Sequence, residues 1–152
     1  MKLRRHQLLP WLLGDVLALS AFVFIGQVDH GLVDAANPLW GVLEQVLLFG
    51  APWVLAGLWL GAFRFGEGGA RAFLARSLNT WLVAAPLGLL LRSYVLGRAV
   101  VPTAFISATL FFGGMFVLGW RALFVLGHFL VRRRRSTWEV KKDEQPHSLH
   151  AS

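Results

Sequence analysis

The sequence predicts an all-α integral membrane protein, a bundle of four transmembrane helices with both termini in the cytoplasm. Three observations carry that expectation. Hydrophobic residues make up 56% of the chain and charged ones only 15%, whereas soluble domains hold roughly 45 to 50% and about 25%. The apolar residues gather into four runs, each close to the roughly 20 residues that cross about 30 Å of hydrocarbon. Lys and Arg, which bring the formal charge to +7, collect at alternate ends of those runs. Backbone groups in lipid must be satisfied within a helix or a closed barrel, and the runs lack the alternating period of a barrel.

The first run, Leu8 to Ile25, has the basic start and apolar middle of a signal peptide, with Ala18-Leu19-Ser20 before Ala21 as a cleavage-like sequence. Asp15 interrupts that apolar middle, and Phe22-Val23-Phe24-Ile25 extends it, so the segment reads as an uncleaved anchor. The loop that follows carries Asp29, His30 and Asp34. Their oxygen and imidazole groups are the one catalytic or metal-ligating set in the loops, but the spacing matches no known site and no nucleophile motif accompanies them. A solvated loop is expected, with no metal and no catalytic residue assigned.

The second run spans Val42 to Phe63 and the third Leu78 to Leu96. Each contains a proline near its middle, in "LFGAPWVL" and "LVAAPLGL". Such breaks can mark a midplane binding site, because each proline frees a carbonyl four residues back, or can simply kink the helix. Glu44 near the start of the second run and Arg92 near the end of the third form a secondary polar pair at the outer side. An exposed pair of that kind contributes little.

The fourth run, Val100 to Trp120, continues as an apolar extension to Val131 that contains Arg121 and His128. Seven residues of helix from Leu8 put Asp15 about 10 Å inside the membrane, and nineteen from Pro102 bring Arg121 about 28 Å across from the other face. The two therefore reach similar depths and form a candidate intramembrane cluster. The competing reading lets Arg121 snorkel to headgroups beside Trp120, while Asp15 is buried protonated or bound to a polar partner. His128 is expected at the interface.

Orientation follows from the basic residues. Twelve of them, Lys2, Arg4, Arg5, Arg64, Arg71, Arg76, Arg132 to Arg135, Lys141 and Lys142, fall on one side, and Arg92 and Arg98 fall on the other. Both ends are thus expected in the cytoplasm, with the chain in the cell (inner) membrane. Residues 1–131 form the transmembrane domain and 132–152 a basic, then disordered, tail. Arg132, Arg133, Arg134 and Arg135 abut a helix end, where anionic headgroups attract each arginine by about 1 kcal/mol. They point to lipid rather than nucleic acid.

Small residues recur four apart at Gly14 and Ala18, Gly57 and Gly61, Ala84 and Gly88, and Ala104 and Ala108. This spacing suits a tight bundle or a homo-oligomer. The chain has no cysteine, which removes disulfides and thiolate sites, and no two histidines lie on facing runs to hold haem. No cofactor is expected. Three functions remain open: a membrane protein whose Asp15 and Arg121 are structural or functional, a proton-coupled transporter using Asp15, and a membrane enzyme using Asp29, His30 and Asp34. Four-helix multidrug exporters also carry a first-helix acid, but the one-sided charge here argues for a single fixed orientation.

"DVLALSAFVFIG", then His30-Gly31, Arg92 and "PTAFISATLFFGGMFVLGWR" resemble an uncharacterised prokaryotic membrane family, the domain of unknown function numbered three-zero-five-four. The likeness spans roughly Asp15 to Arg121 and rests most on Asp15, Gly26, His30, Gly31, Phe105, Gly119, Trp120 and Arg121. The second run departs from it, with Pro52-Trp53 where the resemblance implies Pro-Phe. It implies the multi-pass fold and attaches no activity.

Overall fold

The computed structural model of the chain describes the backbone of residues 5–29, 31, 37–97 and 102–144. Every regular element among these is helical: α1 (Arg5–Asp29), α2 (Pro38–Leu60), α3 (Gly69–Val95), α4 (Thr103–Ala108), a π-helical segment (Thr109–Gly113) and α5 (Gly114–Glu144). The last three run on from one another. Among the described residues four helical spans are long and apolar enough to cross a membrane, Leu9–Asp29, Leu39–Leu60, Gly69–Val95 and Thr103–Val131. Each overlaps one predicted run.

The boundaries have local causes. Pro38 opens α2, where its missing N–H would have had no helical partner anyway. Gly61 closes the same helix in the left-handed region, at φ 73°, and donates its N–H to the Gly57 carbonyl. The Gly57 and Gly61 spacing, expected to bring helices together, therefore serves the cap, and Phe63 folds back over the space beside Gly57. Helix α3 starts nine residues before the predicted Leu78. Its first turns carry Arg71 and Arg76, which an apolar run excludes but a helix at the membrane boundary accommodates.

A correction concerns the tail. Helix α5 continues to Glu144, so the segment from Ser136, expected to be disordered for want of an apolar period, is helical over 136–144. Glu139 precedes Lys142 by three residues and Lys141 precedes Glu144 by three, a spacing of opposite charges that favours helix.

Exposed aromatics mark the limits of the hydrocarbon. Trp40 and Trp59, at opposite ends of α2, are 68% and 81% exposed. Nineteen residues of helix separate them by about 28 Å, close to the thickness of the apolar layer, and tryptophan favours both of its borders. Tyr94, near the end of α3, is exposed in the same way. Between these levels much of the surface is leucine, valine and phenylalanine, as a lipid-facing surface requires.

The chain divides into two compact units, Met1–Trp120 and Arg121–Ser152. In the first, α2 packs on both α1 and α3, and the π segment packs on α3 and α1, closing a ring. Lipid removes the hydrophobic drive between helices, so close approach and directional contacts must hold them. Gly88 of α3 leaves room for the Phe49 ring of α2, and Gly14 of α1 leaves room for Trp120. At one end Trp11, Phe65 and Phe73 stack with centroids 4.8 to 5.3 Å apart, each such pair adding about 0.5–1.5 kcal/mol beyond burial. In the second unit the helix exposes Leu123, Leu126, Phe129, Leu130 and Val131, whereas Arg121 is completely buried.

Candidate functional site: a polar chain within the membrane

Asp15 lies in α1 with 2% of its surface exposed. A carboxylate placed there without partners would cost several kcal/mol. Trp53 of α2 supplies one, its indole Nε1 donating to Oδ2 at 2.9 Å. Trp53 is itself buried and meets Trp81 of α3 edge-on, with ring centroids 6.0 Å apart. Trp81 then donates from Nε1 to the backbone carbonyl of Leu110, also at 2.9 Å. A carboxylate, two indoles and a main-chain carbonyl thus link α1, α2, α3 and the fourth span.

The last link depends on local irregularity. A π turn shifts the backbone register and loosens carbonyls that an α-helix would keep to itself. Leu110 lies within that turn, and Gly113 and Gly114 beside it have no side chain to block the ring: a Cβ on either would stand 2.6 or 2.8 Å from Trp81. The double glycine therefore admits the indole, and the π turn supplies its acceptor.

Arg121 lies in the fourth span and is 0% exposed. Arg92, expected beside Glu44, reaches α2 one residue further on, donating from Nε to Gln45 Oε1 at 2.8 Å. Its guanidinium also lies 4.5 Å from the centre of the Phe105 ring, a cation–π contact. Glu44 is half-buried. Asp29 ends α1 and is exposed, while His30 and Asp34 lie outside the described residues. Among the described residues no group of three His, Cys, Asp or Glu is placed to hold a metal. Arg132, Arg133, Arg134 and Arg135 lie within α5. Of their side chains only that of Arg133 is described, and it is exposed.

The two prolines are not equivalent. Pro52 is buried next to Trp53, whereas Pro86 faces outward. They therefore do not form a symmetric pair around a midplane site. The sequence reading missed Trp53 and Trp81 as polar groups, because hydropathy scores tryptophan by its rings and ignores the indole N–H. The one available signal was Trp53 itself, which stands where the resemblance implied phenylalanine. Phenylalanine has no N–H to give Asp15.

A family profile described as Protein of unknown function (DUF3054) matches residues 12–124, which contain Asp15, Trp53, Trp81, Leu110 and Arg121. No curated protein and no solved structure matches the chain. The match covers most of the sequence, and the chain belongs to this family of unknown function.

Proposed function

We propose that the chain is a small multi-pass protein of the cell (inner) membrane, with both termini cytoplasmic, in which Asp15 and Arg121 are charge partners that hold the spans in one arrangement. The observation that carries this reading is that both ionisable side chains are buried. Buried charges persist when paired, and loss of either partner leaves the other uncompensated, at a cost of about 3–5 kcal/mol. The similar depths of the two residues along their spans add support, and the twelve-to-two distribution of basic residues supports the orientation.

The transporter reading needs an acid that water and a cation can reach. Asp15 is enclosed and already accepts the Trp53 N–H, which favours the anchoring role. The basic run from Arg132 to Arg135 is proposed to rest on anionic headgroups. Reporter fusions at the two ends test the topology: both should report from the cytoplasm, and ends on opposite faces would end the proposal. Reconstituted protein should drive no cation flux under a pH gradient. Flux that Asp15→Asn abolishes would instead establish the transporter.

A further inference from the structure

We propose that the connection between α2 and α3 holds the phosphate of an anionic phospholipid headgroup between Arg64 and Arg76. The inference rests on the four-span reading but not on which side the loop faces. Arg76 donates from Nη2 to the carbonyls of both Arg64 and Glu67, at 2.6 and 2.9 Å, and so ties the loop to α3. Those acceptors are neutral, and its Nε is buried without a hydrogen-bond partner. Arg64, which is exposed, converges on the same place. The Cδ atoms of Arg64 and Arg76 stand 3.3 and 3.5 Å from the position that a Cβ on Gly61 would occupy.

The stems of two arginines meet at Gly61, and of the anions that arginine pairs in bidentate geometry the lipid phosphate diester is the one that a membrane border supplies. The level is right for a headgroup. Arg76 lies eighteen residues before Tyr94 on α3, about 27 Å along the axis, and Arg64 follows Trp59 by five residues, so both arginines sit at the border opposite Tyr94. The nearest acid in the loop, Glu67, contributes its backbone carbonyl to Arg76. Arg71 provides the contrast. It is exposed on the same helix as Arg76, but five residues of α-helix turn it about 140° away.

The test is retention of phosphatidylglycerol by the purified full chain in nanodiscs of phosphatidylcholine doped with phosphatidylglycerol, read by native mass spectrometry. Arg64→Gln should lower retention about tenfold, as expected for the loss of one charge-assisted hydrogen bond to the phosphate. Arg71→Gln removes the same charge and should leave retention unchanged, and added inorganic phosphate should not displace the lipid. Equal losses in the two variants would mean diffuse attraction and would overturn the proposal. Displacement by inorganic phosphate would overturn the lipid as the source of the anion. Recovery of the chain from extracts without detergent would instead defeat the four-span reading.

Discussion

The α2–α3 pair and the fourth span are held by different means. In the apolar eighteen-residue stretch of each span, buried positions take up 44% in α2 and 39% in α3 but only 22% in the fourth span. Between α2 and α3 the Trp53 and Trp81 rings meet edge-on and Phe49 fills the space beside Gly88, with Ala84 and Ala85 of α3 also buried. The fourth span instead meets the others through a few directional contacts: the Trp81 N–H on Leu110, the Arg92 guanidinium over Phe105, and Trp120 in the space beside Gly14. Where area is small in a medium that offers no hydrophobic drive, polar groups must fix position. The fourth span should therefore be the element most sensitive to polar substitutions, and α2–α3 the one most sensitive to volume.

The largest effect expected is from the buried charges. Asp15→Ala or Arg121→Ala should lower stability by about 3–5 kcal/mol, seen as a sharp fall in membrane abundance and in the midpoint of thermal unfolding in detergent. Wild-type abundance in both variants would mean that neither charge is held by a partner.

Volume changes come next and sharpen the contrast. Gly88→Val forces α2 from α3 against the Phe49 ring, and Gly113→Val forces Trp81 off the π turn. Each should cost about 1–3 kcal/mol by overpacking. Gly88→Val should loosen α2 and α3 together, while Gly113→Val should increase hydrogen exchange in residues 103–120 and leave α2 protected. Uniform exchange in both variants would erase the distinction between the two regions.

The smallest effects isolate single hydrogen bonds. Trp53→Phe and Trp81→Phe keep a ring in place and delete one N–H each, toward Asp15 and toward Leu110. Losses of about 0.6–2 kcal/mol are expected, the range found for hydrogen bonds between membrane helices. The Trp81 variant should alter exchange near Leu110 and the Trp53 variant should not.

The sequence made the spans legible because length and apolarity are what lipid demands, and the same demand singled out Asp15 and Arg121 as costly residues. What it hid has physical reasons. The early start of α3 contains arginines that an apolar window rejects, although their stems suit a boundary. The helix from Ser136 to Glu144 has opposite charges three apart but no apolar period for a hydropathy reading to find. Trp53 and Asp15 are 38 positions apart, and no periodicity connects residues on different helices. The π segment leaves no mark in "TLFFGG" beyond its glycines, because a register shift depends on the neighbour that accepts it, here Trp81.

The most direct measurement is a double-mutant cycle on Asp15→Asn and Arg121→Gln, with unfolding free energies taken in bicelles. Paired charges predict that the double variant loses at least about 1 kcal/mol less than the two single losses added together. Additivity to within about 0.5 kcal/mol, the behaviour of independent sites, would contradict the pairing on which the proposed role depends.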